Sequence, residues 1–376
     1  MNKFIVTATR SMKNYAHDVA QKLAEYHIFA PIADSIDRTD ILDVMSFADG
    51  EIEVVINESV RGKDVIVFSN ASHNEENISL DQAKLELYHT VDALKRAQAE
   101  RIIVFEPFIS CARSDRTTRR NSVGLWMHFR TLTALGTRHI ITYQLHSKMS
   151  KSMLAPSVCT LDDIPGIPLL QRYLCDMYVR SKEALENDVN KNWVFCSVDA
   201  GGEKLARTFA DAFNAPLVVA HKQRDYNNPN SINSISVLKT DDLAGKKLWI
   251  VDDMIDTGKS VEILVNALAD MHPVEINLVA VHAVLSGSAE ERLRAMAESK
   301  ILKRVIVTDT VCCAGIQERL HPLIEVVPSR KRSAKIIRTI MANQSMSERL
   351  KPFSAERYFS NEAYLFNSRP KDSQPV

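Results

Sequence analysis

Short apolar runs alternate with amphipathic stretches along almost the whole chain, and that alternation leaves few folds open. Phe4–Thr7, Ile52–Ile56, Val65–Ser69, Ile102–Phe105 and Ile140–Tyr143 read as strands. A second series follows at Trp193–Val198, Leu217–Ala220, Leu248–Val251, Ile276–Val281, Val305–Thr308 and Ile324–Val327. Between them, Met12–Tyr26, Ser79–Gln98, Val123–Leu135, Gly202–Phe213 and Ser260–Met271 carry helical periodicity. Strands fed through helices line up parallel, with helices covering both faces of the sheet. The expectation is an α/β protein with mostly parallel sheets.

Two such series suggest two related halves joined within 147–166, where Pro156, Asp162, Asp163, Pro165 and Gly166 read as loop. The expected division is 1–160, 161–345 and a tail, 346–376, frayed over Asn367–Val376. At 376 residues, with 45% hydrophobic content, the chain can bury two cores. Basic and acidic residues balance at 47 each, so no global field draws it to nucleic acid or an anionic membrane. Any anionic ligand must be held by local groups. The six cysteines show no metal-binding spacing and read as reduced, packed residues. No signal-like or membrane-length apolar run is present, which points to a cytoplasmic protein.

The segment LWIVDDMIDTGKS, Leu248–Ser260, is the most informative. It reads as a buried strand, then acids, then a small-residue loop and a helix start near Ser260. Ligands of open parallel sheets sit at the carboxyl ends of the strands. There, Asp252 and Asp253 suit a vicinal diol, because ionised carboxylates accept and sugar hydroxyls donate. Asp256, Thr257, Gly258, Lys259 and Ser260 follow, with glycine allowing close approach and helix N–H groups favouring a phosphate. A P-loop is excluded, because Asp253 stands where that motif needs glycine. A merely solvated turn is the plainer alternative.

VDDMIDTGKS resembles the binding loop of type I phosphoribosyltransferases, and nearly the whole chain resembles the ribose-phosphate pyrophosphokinases within that superfamily. The resemblance implies two phosphoribosyltransferase-like domains, ATP as co-substrate, Mg²⁺ and ribose 5-phosphate. It also implies a homo-oligomer, dimer-based and commonly hexameric. Phe47, Asp49 and Glu51, in FADGEIEVVINESVRGKDV, match a segment that reaches into a neighbouring subunit's ATP site. By itself Asp49-Gly50 is an ordinary hairpin turn. Arg113, Ser114 and Asp115, in PFISCARSDRTTRR, match the ATP loop, where arginine forks fit polyphosphate. A solvated basic turn is the plain reading. Ser114 departs from the usual glutamine, which puts one adenine hydrogen bond in doubt.

His146, in YQLHSKMSKSM, matches a histidine beside Mg-ATP, although Gln144 replaces the usual aspartate two residues earlier. Asp199 matches an acid near the metal, and Ala200, Gly201 and Gly202 match a loop that receives pyrophosphate through backbone N–H groups. His146 and Asp199 are thus the implied metal contacts. Lys222 and Arg224, in VAHKQRDYNNPN, alternate on an extended stretch before a polar loop and match the pair that closes on the transferring group. A charged pair on a solvated strand is the plain alternative.

The implied activity is transfer of the pyrophosphoryl group of ATP to the C1 hydroxyl of ribose 5-phosphate, releasing AMP. Two alternatives stay open: the same chemistry on another acceptor such as ADP-ribose, and a non-catalytic regulatory relative.

Overall fold

A computed structural model describes residues 4–26, 36–224, 232–238, 242–313 and 315–360, with backbone alone at 221–224 and 232–238. The chain divides into two compact units. The first comprises Met1–Gly166, Asp309–Ala314 and Pro328–Leu350; the second comprises Ile167–Thr308, Gly315–Val327 and Lys351–Val376.

The first unit holds β1 (Phe4–Ala8), β2 (Leu42–Ser46), β3 (Ile52–Ile56), β4 (Asp64–Phe68), β5 (Arg101–Phe105), β6 (Thr137–Tyr143) and β7 (Thr160–Ile164). Five of them form a parallel sheet in the order β1-β4-β5-β6-β7. β1 and β4 are buried at every position, which is why they read as unbroken apolar runs rather than as alternations. β2 and β3 stand apart as an antiparallel hairpin. Helix Leu80–Arg96 starts where the Ser79 hydroxyl accepts from Gln82 N–H, carries Asp81 in its first turn and ends on Lys95 and Arg96. Helix Gly124–Leu135 stops at Gly136, whose φ of +117° only glycine adopts readily.

The second unit holds β8 (Trp193–Ser197), β9 (Leu217–Arg224), β10 (Ile232–Leu238), β11 (Lys247–Ile255), β12 (Glu275–Ala283), β13 (Leu302–Thr308) and β14 (Ile324–Val327). Their order is β10-β9-β8-β11-β12-β13-β14, parallel except where β10 returns antiparallel along β9. Trp193, Phe195, Phe209, Phe213 and Trp249 pack behind β8 and β11. The Trp193 and Trp249 rings lie 4.8 Å apart, and Phe195 stacks on Phe213 at 5.6 Å. This cluster fixes the strands whose far ends carry the acids.

A single cut at residue 160 does not describe the chain. It falls at the start of β7, which pairs with β6 and completes the first sheet, so 147–166 is not simply a joining loop; Lys148–Met153 is also helical, a 3₁₀ segment. Helix Arg330–Met341 belongs to the first unit. Its Ala334, Ile336 and Ile337 are buried with Phe4, Val6 and Tyr15, and Ser333 Oγ bonds the hydroxyls of Tyr15 and Tyr143 at 2.8 Å each. The expected tail is also shared. Ser347–Leu350 lies with the first unit, while helix Ala355–Ser360 buries Tyr358 in the second, where its hydroxyl donates to Asp176. The expected fraying at Asn367–Val376 lies outside the described residues.

Candidate active site

The second sheet supplies the crevice. From β8 the chain passes through helix Glu203–Phe213 to β9 on one side, and from β11 through helix Lys259–Ala269 to β12 on the other. β8 and β11 are hydrogen-bonded neighbours whose connections leave in opposite directions, the switch point where open α/β sheets bind ligands. In the first unit the described order runs one way, from β1 through β4 to β7, with no such reversal.

The acids stand at this point. β8 pairs with β11 only as far as Ser197↔Val251, while β11 continues beside β12 to Ile255↔Ala283. Asp252 and Asp253 therefore lie where one neighbouring strand has ended, and Asp199 follows the end of β8. Desolvation, reinforced by Asp253 and Asp199, holds the Asp252 carboxyl well above the usual carboxylate range. Asp252 Oδ1 accepts from the Asp253 N–H at 2.9 Å. Acids pressed together in this way favour an arriving cation or hydroxyl donors.

Beyond the acids, Gly258 has φ +72° and caps helix Lys259–Ala269, so the helix begins one residue before the expected Ser260. Lys259 Nζ pairs with Glu262 at 3.1 Å, and Ser260 lies in the first turn, whose N–H groups have no partner within the helix. The Asp199 side chain accepts from Gly202 N–H at 3.0 Å, capping the turn Ala200–Gly202. The loop expected to receive pyrophosphate thus has one of its amides bonded to its own aspartate. Lys222 and Arg224 belong to β9, registered against Ile235 and Ile232 of β10, and the polar loop expected after them lies outside the described residues.

In the first unit, Phe47, Asp49 and Glu51 lie at the exposed tip of the β2–β3 hairpin. The turn is closed by Phe47 N–H to Glu51 O at 2.8 Å and by Gly50 at φ +94°, and Glu51 N–H donates to Asp49 Oδ1 at 3.1 Å. Phe47 is 50% exposed, an aromatic left uncovered. Arg113, Ser114 and Asp115 lie in the loop between β5 and helix Gly124–Leu135. Ser114 is committed to that helix: its hydroxyl accepts from Gly124 N–H at 2.9 Å and its carbonyl from Leu125 N–H at 3.1 Å. Buried Glu106 and His128, 2.6 Å apart, tie together the strand before the loop and the helix after it. Asp115 borders a cavity of about 410 Å³ also lined by Trp126, Met127 and Met153.

His146 is exposed just beyond β6. Gln144, the departure two residues earlier, is structural. It adopts φ +43°, donates its N–H to Ile164 O at 2.9 Å and accepts Gly166 N–H on Oε1 at 3.3 Å. Both departures, Ser114 and Gln144, thus serve their own loops.

Sequence reasoning missed Ser286 and Arg292, which bond the Asp256–Thr257 loop from thirty or more residues away. The sole hint was a Ser-Gly-Ser turn after the β12 run.

Comparison with known proteins agrees with the fold. Residues 4–136 match the N-terminal domain of ribose phosphate pyrophosphokinase, and residues 180–314 match a phosphoribosyl transferase domain. The ribose-phosphate pyrophosphokinase of Caldanaerobacter subterraneus is 35% identical over 307 residues, 81% of this chain and 87% of its own length. The chain belongs to the ribose-phosphate pyrophosphokinase family. The family's enzyme from Clostridium tetani is 30% identical over 341 residues, 90% of this chain and 97% of that one. The crystal structure of phosphoribosylpyrophosphate synthetase from Mycobacterium smegmatis superposes with a TM-score of 0.74 at 28% identity, covering 91% of this chain and 100% of that one. Like its family the chain is a transferase, built on two phosphoribosyltransferase-like folds.

Proposed function

We propose that this chain moves the β,γ-pyrophosphoryl group of ATP onto the C1 hydroxyl of ribose 5-phosphate. The observation that carries the reading is the meeting of Asp199, Asp252 and a Gly258-capped helix at the switch point of the second sheet. Asp252 and Asp253 accept hydrogen bonds from the pentose diol, and the amides from Thr257 to Ser260 hold its 5-phosphate. Arg113, Asp115 and His146 contact ATP, together with Phe47, Asp49 and Glu51 of a neighbouring copy in a homo-oligomer. The C1 hydroxyl attacks the β-phosphorus in line, and AMP leaves with its bridging oxygen. Lys222 and Arg224 lie beside the transferring group and offset its charge, which is the main demand of phosphoryl chemistry on a protein.

The donor set suits Mg²⁺. Burial, then Asp253 and to a smaller extent Asp199, raises the Asp252 carboxyl, while among the described residues no group of three His, Cys, Asp or Glu forms a closed cage. A metal that keeps waters and shares substrate oxygens fits such a place. Bound there, it neutralises polyphosphate charge. Among the described residues, no helix is long and apolar enough to cross a membrane.

Assay of AMP release from Mg-ATP, with ribose 5-phosphate, with ADP-ribose and with neither, tests the reading. Acceptor-dependent release with ribose 5-phosphate supports it. Release with ADP-ribose alone assigns the same chemistry to another acceptor, and no release with either leaves a regulatory subunit.

A further inference from the structure

The loop after β11 is held from outside by the chain that follows β12. Leu285 N–H donates to Ile255 O at 2.9 Å and Ser286 N–H to Asp256 O at 3.1 Å, while Ser286 Oγ donates to Asp256 Oδ1. One serine thus grips both the carbonyl and the carboxylate of the same aspartate. The turn that presents it is set against backbone preference. Leu285 sits at φ +47°, a region leucine avoids, with its side chain only 3% exposed, and Gly287 follows at φ +58°. A second brace comes from helix Ala289–Glu298, where Arg292 Nη1 donates to Thr257 O at 2.8 Å and Nε lies 3.4 Å from Glu262.

Asp256 stands two residues ahead of Gly258, the cap of helix Lys259–Ala269. A carboxylate in that neighbourhood is a natural partner for the helix's first N–H groups, the same groups that an anionic ligand needs. Asp199 shows the tendency within this unit, since it bonds the Gly202 N–H of its own loop. Ser286 gives the Asp256 carboxylate another donor.

We propose that Ser286 is a positioning residue that latches the Asp256 carboxylate, keeping the N-terminal amides of helix Lys259–Ala269 open to the phosphate of the acceptor, with Arg292 bracing Thr257 beside it. The proposal rests on the reading of Asp252–Ser260 as the acceptor loop. Loss of the latch frees a competing internal anion, so acceptor affinity falls while the chemical step is untouched.

The test compares wild type with Ser286→Ala, Ser286→Thr and Asp256→Asn, alone and combined with Ser286→Ala, in the full chain. Ser286→Ala is expected to raise KM for ribose 5-phosphate about tenfold, the scale of a lost hydrogen bond to a charge, with kcat and KM for ATP within about twofold. Ser286→Thr restores KM, and the Ser286→Ala effect disappears in the Asp256→Asn background. Amide hydrogen exchange of the ligand-free proteins reads the latch without any activity, and exchange of the Thr257–Ser260 amides is expected to slow in Ser286→Ala alone, because the freed Asp256 carboxylate engages them. Unchanged exchange, or a Ser286→Ala effect that persists in Asp256→Asn, overturns the latch. Altered exchange in a chain whose wild type does not bind ribose 5-phosphate overturns the acceptor assignment instead.

Discussion

Replacing Gly258 with alanine isolates the backbone term at the head of the proposed acceptor loop. A Cβ built there lies 3.8 Å from Ala289 Cα, 3.9 Å from Ala289 O and 4.0 Å from Ala289 Cβ, all ordinary van der Waals distances. Sterics therefore contribute nothing, and the cost is that of holding alanine at φ +72°, about 1–2 kcal/mol. Restricting the unfolded chain offsets roughly 0.4–1 kcal/mol of it. The net loss expected in equilibrium denaturation is about 1 kcal/mol. Gly245 provides the control, with φ +73°, nothing within 4 Å of a built Cβ, and a place in the turn before β11. Gly245→Ala should lose the same stability and leave ligand affinity alone. In Gly258→Ala the loop can escape strain only by leaving the conformation that binds, so calorimetric affinity for ribose 5-phosphate should fall about fivefold, the equivalent of about 1 kcal/mol. Asparagine, which tolerates left-handed backbone, should recover much of both losses. Equal affinities for Gly258→Ala and Gly245→Ala would refute the link between this φ and binding. A loss of 3 kcal/mol or more at Gly258 would refute the claim that the site has room.

Lys222→Ala is expected to lower turnover by orders of magnitude with ATP affinity unchanged, measured by single-turnover kinetics beside equilibrium binding; near-normal turnover removes Lys222 from the transfer step. Ser114→Ala removes the acceptor for Gly124 N–H and should cost ~0.5–2 kcal/mol in denaturant titration while raising KM for ATP. Burial, reinforced by neighbouring acids, raises the Asp252 carboxyl in the folded state, so the folded protein binds this proton more tightly than the unfolded chain does. The site therefore favours folding below the ordinary carboxylate range, and that favour is lost as pH rises toward the folded value. Asp252→Asn should accordingly raise the melting temperature of ligand-free protein at neutral pH, by less as pH is lowered, while weakening acceptor binding; destabilisation at neutral pH would contradict the assignment.

What the sequence determined is the set of elements and the chemistry along them. Continuous apolar runs such as Val65–Phe68 and Leu248–Val251 are legible because a strand buried on both faces has no room for polar residues. The Asp252–Ser260 loop is legible because it is local: strand, acids, glycine and helix start follow within thirteen residues from Leu248. Tertiary structure alone decided what comes together from a distance. The amphipathic face of Arg330–Met341 fits any apolar surface, and it is the packing of Ala334, Ile336 and Ile337 on Phe4 and Val6, with the buried bonds from Ser333 to Tyr15 and Tyr143, that assigns it to the first unit. β7 hid because its Asp162 and Asp163 suggest a turn, and backbone pairing with β6 outweighed that composition. Asp199 meets Asp252 because β8 and β11 are neighbours in the sheet though more than fifty residues apart in the chain. Ser286 reaches Asp256 for the same reason across β11 and β12. Residue type sets what a group can bond, but strand order sets which groups share a crevice, and that order is a property of the whole folded sheet.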